Sequence, residues 1–305
     1  MLHLIGIGGQ WYMVRMAFST QLEYEIRDAG CDFIFNLQAA YTPRQTVVQE
    51  RLSFNQGLSA NIYTDAPTQS RFIAVHALQG QLSVQYSAVV DLTHFKAAPN
   101  KLSEISPQSL PGHVLPYLYP SRYCQSDRLL AFASQQFGSL MMGYSRAQAI
   151  RDWVYNHVRF QGNTSNSNTS ALDTLIDRVG VCRDFAHLMI AMCRAVNLPA
   201  RMVSSMDYGA DPALGPSDFH AYVEVYLADA SGVGRWYMFD PSGTAIPMGF
   251  VRFGTGRDAA DIAFATIFGH VMAAQPMISI QVVPDADGRL VVPRRVPFAL
   301  STDGP

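Results

Sequence analysis

One cysteine of this chain stands where its sulfur could act as a nucleophile. Cys182 follows a Val-Gly turn and begins a long amphipathic stretch that predicts a helix ending before Pro199. A helix N-terminus carries unpaired N–H groups and about half a positive charge, so it favours a thiolate over a thiol. Because the thiolate is the nucleophilic form of cysteine, this position predicts a reactive sulfur.

A histidine and an aspartate that could serve this sulfur follow further along the chain. Residues 217–227 predict a strand with His220 near its start, and a second predicted strand ends at Asp240. If residues 228–234 join the two as a hairpin, His220 lies almost opposite Asp240, with Cβ atoms about 4.5–5.5 Å apart. Alternation places these apolar residues on the face away from His220: Ala221, Val223, Val225 and Leu227. The order cysteine, histidine, aspartate indicates a thiol triad.

Three sequence blocks around these residues closely resemble one family. The blocks are GVCRDFAH (180–187), DFHA (218–221) and WYMFDPSG (236–243), and they are similar to bacterial members of the transglutaminase-like superfamily. Two further runs resemble the same group: LPYLYPSRYCQSD (115–127) and RFGTGRDAADIAFATIFG (252–269). The likeness extends from about residue 115 to 275, and the segment before it resembles the β-rich N-terminal region of these proteins.

The resemblance implies a fold and a role for each of three residues. The fold class is α+β, with a papain-like transglutaminase core in which the cysteine helix packs on an antiparallel sheet. An antiparallel β-sandwich-like domain precedes this core. Matched residue by residue, the family implies Cys182 as the nucleophile, His220 as the general base and acid, and Asp240 as the residue that orients it. All three positions carry the expected chemical type, which argues against an inactive homologue.

The activity that the resemblance implies is acyl transfer from a glutamine carboxamide to an amine through a cysteine thioester. Hydrolysis of a peptide or amide bond by the same triad is an alternative, since the two reactions differ only in whether an amine or water resolves the thioester. A peptide-binding module without turnover is a second alternative, which the intact triad disfavours. The implied partner is a protein or peptide substrate that carries glutamine or another amide, and no cofactor is implied.

Each candidate residue also has a plain structural explanation. A cysteine at a helix start is more often structural than catalytic, His220 could be a core histidine, and Asp240 before Pro-Ser-Gly could be a turn residue. The occurrence of all three in this order favours catalysis. Arg183 and Asp184 are expected to make a local ion pair and to interact with the helix dipole. The charged run GTGRDAAD (254–261) could line a substrate cleft at the cysteine, but a structural role is favoured.

A tetrahedral intermediate at this sulfur would need hydrogen-bond donors for its oxyanion. The backbone N–H of Cys182 is the natural first donor, because it lies at the start of the helix. Trp153 and Gln161 are the candidates for a second donor, although core packing is favoured for Trp153.

The composition excludes several other classes of protein. The chain has 305 residues, 49% of them hydrophobic, which is enough for a sizeable core and two domains. A formal charge of −2 does not indicate the excess of positive charge that binding to nucleic acid or an anionic membrane requires. No stretch approaches the roughly 18 uncharged apolar residues of a membrane span. The first residues make a poor signal peptide, so the sequence predicts a cytoplasmic protein. The GIGG run at 6–9 lacks the context of a dinucleotide site.

The four cysteines show neither disulfide-framework nor metal-site spacing. Cys193 lies roughly 16 Å along the predicted helix from Cys182, too far for a bridge. Cys31, Cys124 and Cys193 are therefore expected to be buried small hydrophobes. His187 lies about 140° around the helix from Cys182, so the two cannot share a metal, and no EF-hand-like loop suggests calcium.

Strand and turn patterns divide the chain into two predicted domains. Residues 1–112 form a β-rich domain, and residues 113–305 form the catalytic domain with C-terminal strands. The second domain begins with a predicted helix at Asp127–Phe137 and another that has Ser145 as its N-cap. The strands predicted in the first domain are Phe18–Ile26, Gln45–Phe54, Arg71–Val75 and Gln81–Val89.

Overall fold

The computed structural model describes residues 13–206, 208–209, 213 and 217–303, so the GIGG run lies outside the described residues. No helix in this part of the chain is both long and apolar enough to cross a membrane. The helices are α1 (Leu130–Phe137), α2 (Tyr144–His157), α3 (Ala171–Asp177), α4 (Cys182–Ala195) and α5 (Ala259–Ile262). The strands are β1 (Val14–Phe35), β2 (Gln45–Phe54), β3 (Asn61–Thr64), β4 (Arg71–Leu92), β5 (Phe95–Ala97), β6 (Arg159–Phe160), β7 (Val179–Gly180), β8 (Ala200–Met206), β9 (Phe219–Ala228), β10 (Gly234–Phe239), β11 (Val251–Gly256), β12 (Ala265–Phe268), β13 (Val271–Ala273), β14 (Met277–Val282) and β15 (Ala299–Ser301).

The N-terminal sheet doubles back on itself. β1 and β4 pair as antiparallel strands along almost their whole length, and their register shifts between Ile26 and Gly30 of β1. The rings of Tyr24 and Phe33 have centroids 5.1 Å apart. A straight strand would separate these two residues by about 30 Å, so β1 bends sharply and its two halves face each other across an apolar interior. The predicted β-sandwich-like character of this region is confirmed.

Gly80 marks the matching bend in β4. It pairs with Ile26 and has a φ of +112°, in the left-handed region that glycine adopts at low cost. The sequence predicted separate strands at 71–75 and 81–89 on either side of this residue. The structure has one strand instead, because its ladder with β1 continues on both sides of the bend.

The strands near the end of the chain complete the N-terminal sheet. β12, β13 and β14 pair in turn with β1, along the edge opposite to β4. On sequence alone these strands belong to the domain at 113–305, whereas their hydrogen bonds place them in the N-terminal sheet. They cover the edge of β1 that would otherwise expose unpaired N–H and C=O groups.

The second sheet is covered by an apolar core on each face. Its strands are antiparallel in the order β10-β9-β8-β11. The predicted apolar face of β9 packs in the core that contains α4, through Ala221, Val223, Val225 and Leu227. Tyr222 on the opposite face packs in the core of the N-terminal sheet, together with Val203 and Phe253. The predicted α+β class, with the cysteine helix on an antiparallel sheet, is confirmed.

The start of α2 differs from the prediction. The helix begins one residue before Ser145, so Ser145 is not its N-cap. The carboxylate of Glu104 lies at this helix start instead: it accepts a hydrogen bond from the Gly143 N–H over 2.8 Å and forms a buried ion pair with Arg146. A carboxylate near a helix N-terminus is stabilised by the helix dipole. Because Glu104 is distant in sequence, no local pattern indicated it.

A buried ion pair joins β8 and β9. Arg201 and Glu224 lie directly opposite each other in the strand register, and Arg201 Nε donates to Glu224 Oε2 over 2.7 Å. The Glu224 side chain is fully buried and that of Arg201 is 8% exposed. Removing one partner of such a pair would leave an uncompensated charge in the interior.

We expect the substitution Glu224→Gln to lower the free energy of unfolding by about 3 kcal/mol, because Arg201 would keep its charge without its main counter-ion. Asp287→Asn is the matched control, since the ion pair of Asp287 with Arg289 is mostly exposed and should contribute little. Urea unfolding of both variants and the wild type measures the difference. Equal midpoints for Glu224→Gln and the wild type would contradict a stabilising role for the pair.

Candidate active site

Cys182 is the first residue of α4, as predicted, and its side chain is only partly buried. The helix begins there because the Asp184 carboxylate accepts a hydrogen bond from the Val181 N–H over 2.9 Å. Gly180 is needed at the preceding turn, since a Cβ at that position would lie 2.7 Å from Cβ of Asp184. These contacts fix the sulfur at the helix N-terminus, where the dipole favours an anion.

The residues after Cys182 hold the polar loop 161–170 against the helix. Asp184, which is fully buried, accepts a hydrogen bond from Ser165 Oγ over 2.9 Å. The Arg183 guanidinium donates to Ser165 Oγ and to the Asn166 carbonyl, and it lies 3.4 Å from the Asp184 carboxylate. The expected ion pair is therefore present, and both residues support the loop.

His220 lies at the start of β9, beside the nucleophile candidate. The Cys182 Sγ is 3.9 Å from the carbonyl oxygen of Phe219, the residue that precedes His220. On its other side, His220 Nε2 is 3.4 Å from Asp240 Oδ1, and both side chains are 2% exposed. The Phe250 ring covers the imidazole at a centroid distance of 4.9 Å. The fold thus brings the three predicted residues together around a buried imidazole.

The two strands position Asp240 diagonally across from His220 rather than directly opposite. β9 and β10 form the predicted hairpin, with Val223 paired to Phe239. Extending this register by one residue places Asp240 across from Tyr222, two residues along the strand from His220. Residues two apart share one face of a strand, so the diagonal pair can still meet.

A tight turn holds the Asp240 carboxylate in place. Ser242 donates to Oδ1 through its N–H, over 3.2 Å, and through its hydroxyl, over 2.7 Å. The Ala245 N–H donates to Oδ2 over 3.3 Å, and Arg151 Nε donates to the Asp240 carbonyl over 2.7 Å. Asp240 is therefore a turn residue as well as the partner of His220. The Asp-Pro-Ser sequence indicated the turn, but no local signal indicated Arg151.

The imidazole and the carboxylate shift each other's ionisation. Burial lowers the pKa of His220, but the Asp240 carboxylate and the hydrogen-bonding Cys182 thiol outweigh burial and raise this pKa to about 10. Burial raises the pKa of Asp240, yet His220 and the donors of Ser242 and Ala245 bring it below its ordinary value. Neutral solution therefore favours an imidazolium beside a carboxylate. A protonated imidazole at this place can act as counter-ion to a thiolate.

The two side chains considered as oxyanion donors lie in different surroundings. Gln161 adjoins the turn before Cys182, because its N–H donates to the Gly180 carbonyl over 2.9 Å, and its side chain is exposed. Trp153 packs among the helices, stacked on His157 at a centroid distance of 3.9 Å and edge-on to Phe132. The core-packing role favoured for Trp153 is confirmed, and Gln161 remains the candidate donor.

The charged run GTGRDAAD (254–261) has the structural role that was favoured for it. The Asp258 side chain caps the start of α5 by accepting a hydrogen bond from the Ala260 N–H. It also accepts a hydrogen bond from the Tyr123 N–H over 2.9 Å. His187 of α4 accepts a hydrogen bond from the Ala259 N–H over 3.2 Å, and burial lowers its pKa to about 3. His187 is thus a neutral core histidine that joins the run to the cysteine helix.

Comparison with known proteins agrees with a papain-like thiol-enzyme fold. Residues 131–241 match the transglutaminase-like superfamily core, and residues 14–113 match the bacterial transglutaminase N-terminal domain. A solved structure from Cytophaga hutchinsonii, provisionally described as a cysteine protease, is 33% identical to this chain. The match covers 96% of this chain and 99% of that chain, with a TM-score of 0.86. An uncharacterised protein of Mycobacterium leprae is 25% identical over 265 residues, which is 83% of this chain and 91% of the relative.

The chain belongs to the transglutaminase-like superfamily, a family of thiol-dependent enzymes. The resemblance drawn from the short sequence blocks is therefore confirmed. The two matched regions also agree with a β-rich N-terminal region followed by the cysteine core.

We expect the stability of the wild type to fall between pH 6.5 and pH 10. The folded pKa of His220 is raised, so its contribution to stability is complete below pH 6.5 and is lost as the pH rises through about 10. Each unit of raised pKa corresponds to about 1.4 kcal/mol, so the loss is on the order of a few kcal/mol. Unfolding free energies measured across this range should fall less steeply for His220→Gln. His76→Gln is the control, since His76 is exposed, and it should follow the wild type. Parallel profiles for all three proteins would contradict the ion pair.

Proposed function

We propose that the chain is a cysteine enzyme that forms a thioester with the acyl group of a glutamine carboxamide or peptide amide. The observation that carries the proposal is the buried pair of His220 and Asp240, which adjoins a partly exposed cysteine at a helix N-terminus. The imidazole and the helix dipole favour an anionic sulfur, and the Asp240 turn holds the imidazole in one orientation. The proposed partner is a glutamine-bearing or other amide-bearing protein or peptide.

The proposed first half-reaction transfers the acyl group to Cys182. The thiolate attacks the amide carbonyl, and a carbon–sulfur bond forms. The imidazolium of His220 gives its proton to the departing nitrogen as the carbon–nitrogen bond breaks, so ammonia or an amine leaves. The Cys182 N–H and the Gln161 side chain are the proposed oxyanion donors, because one lies at the helix start and the other beside the preceding turn.

The proposed second half-reaction resolves the thioester. His220, now neutral, accepts a proton from an incoming amine, and a new amide forms while the sulfur leaves as a thiolate. This is acyl transfer, the activity that the family name suggests. Water in place of the amine would give hydrolysis, and the description of the Cytophaga hutchinsonii relative favours this alternative. A non-catalytic peptide-binding role is less well supported, since Cys182, His220 and Asp240 are all intact.

We expect iodoacetamide at pH 6 to alkylate Cys182 about tenfold faster in the wild type than in His220→Gln, because the imidazolium favours the thiolate. An ordinary thiol, with a pKa near 8.5, would react slowly at this pH. Cys31, Cys124 and Cys193 are buried and serve as internal controls; burial raises the pKa of Cys124 to about 12. Peptide mapping by mass spectrometry locates the label. Equal rates at Cys182 in both proteins would show that the two residues are not coupled.

We expect the wild type to release ammonia from a glutamine peptide, and Cys182→Ser to abolish the release. Asp240→Asn should lower kcat by about 100-fold or more, because the imidazole would lose its orienting charge. Asp287→Asn is the control and should keep the wild-type kcat, since its ion pair with Arg289 is mostly exposed and involves none of Cys182, His220 and Asp240. Ammonia detection measures turnover.

The same reaction with an excess of a primary amine separates the two activities. Incorporation of the amine, measured as a mass increase of the peptide, is expected for acyl transfer. Ammonia release without incorporation would eliminate the transferase and leave the hydrolase. Cleavage of the peptide backbone instead would identify a peptidase.

A further inference from the structure

A cavity of about 450 Å³ opens beside the turn that holds Asp240. Several separate parts of the chain form its walls: Tyr155 of α2, Phe160 of β6, Phe185 of α4, the turn Ser242–Thr244, and Arg295 from the segment before β15. Phe185 lies within the first turn of the helix that begins at Cys182, and Ser242 binds the Asp240 carboxylate. Two walls of the cavity therefore belong to the helix that carries Cys182 and to the turn that holds Asp240.

One arginine, Arg295, borders this cavity. Arg295 also lines a second hollow of about 260 Å³, to which Asp240, Arg151 and Arg294 contribute. We call the two hollows with Arg151, Arg294 and Arg295 the arginine pocket. Its three guanidinium groups come from two distant parts of the sequence, so the fold alone assembles them.

The arginine pocket is built onto the Asp240 turn. Arg151 Nε donates to the Asp240 carbonyl over 2.7 Å, and Arg295 Nη2 donates to the Gly243 carbonyl over 2.8 Å. Gly243 has a φ of +66°, and a Cβ there would lie 2.6 Å from Cε2 of Tyr155. Glycine is thus required for the turn to approach α2 this closely. A ligand held by these arginines would lie next to the residue that orients His220.

The described carboxylates near the pocket pair with Arg151 and His220 and leave the other two arginines of the pocket without a carboxylate partner. Asp152 pairs with Arg151 over 2.9 Å, and Asp240 already pairs with His220. Among the residues that the structure describes, no carboxylate lies within ion-pair distance of Arg294 or Arg295, and both side chains are exposed. The pocket therefore offers guanidinium donors to an anion from solution.

We infer that the arginine pocket is a subsite for a carboxylate on the acyl-donor peptide. Guanidinium groups match carboxylate oxygens with paired hydrogen bonds, and the aromatic walls at Tyr155, Phe160 and Phe185 suit the aliphatic part of the same residue. The carboxylate comes either from an acidic side chain near the reacting amide or from a free C-terminus. This inference rests on the proposed function, because it assigns a class of peptide to the same site.

Peptide binding to the Cys182→Ala chain tests the pocket without turnover. The probes are fluorescent heptapeptides of Gly and Ala around one glutamine: one with an amidated C-terminus, one with a free C-terminus, and an amidated series with one glutamate at each position in turn. We expect at least one carboxylate peptide to bind about tenfold more tightly than the neutral peptide, as hydrogen bonds between charged groups allow. The peptide that does so identifies the source of the carboxylate.

Charge-removing variants then locate the preference. In the Cys182→Ala background, the double substitution Arg294→Gln and Arg295→Gln should reduce the tenfold preference to about twofold or less. Arg289→Gln is the matched control: it removes an exposed arginine that pairs with Asp287 in the same C-terminal segment, and it should keep the full preference. Circular dichroism of each variant checks the fold, and Arg294→Lys with Arg295→Lys provides a second, charge-conserving pair that should retain most of the preference.

The outcomes separate this inference from the proposed function. Equal binding of the neutral peptide and all carboxylate peptides, or a preference that survives Arg294→Gln with Arg295→Gln, would overturn the subsite. An arginine-dependent preference without turnover of any peptide by the wild type would support the subsite and count against the proposed function. Turnover that requires Cys182 but has the same KM for neutral and acidic peptides would support the proposed function and contradict the carboxylate subsite.

Discussion

The packing of α4 against β9 is the contact on which the site depends. Cys182 and His220 belong to different elements that are far apart in sequence, so only this packing brings the sulfur beside the imidazole. The position of β9 is fixed by burial on both faces, since Val223 enters one core and its neighbour Tyr222 enters the other. A shift of one residue in β9 would exchange these two faces and turn His220 away from its partners.

The same burial makes the charges of the site dependent on one another. An isolated imidazolium or carboxylate in this interior would be destabilised by the loss of water, and burial opposes the charged form of both His220 and Asp240. The Ser242 hydroxyl and the Ala245 N–H donate hydrogen bonds to the two carboxylate oxygens of Asp240. A second buried ion pair lies further along β9, where the Glu224 carboxylate is paired with Arg201 of the neighbouring strand β8.

The parts of the fold and site that follow from local sequence could be predicted. The start of α4 depends on Gly180 and Asp184, which lie next to Cys182, and the alternation of β9 depends on neighbouring residues alone. Features that join distant segments could not be predicted from local patterns. Examples are the Glu104 carboxylate at the start of α2 and the pairing of β12, β13 and β14 with β1. The diagonal offset of Asp240 depends on the strand register, which sequence alternation does not determine.

The pairing of β1 with strands from the end of the chain has a consequence for the order of events during synthesis. β1 leaves the ribosome before the cysteine core, whereas the strands that cover its second edge leave after that core. The N-terminal sheet therefore carries an open edge until residues 265–282 have been synthesised, and such an edge can pair with another chain. A nascent or truncated molecule that lacks residues 265–282 would hold its cysteine helix and hairpin while still exposing this edge. Pairing of β12, β13 and β14 with β1 thus covers this edge and prevents it from pairing with another copy of the chain.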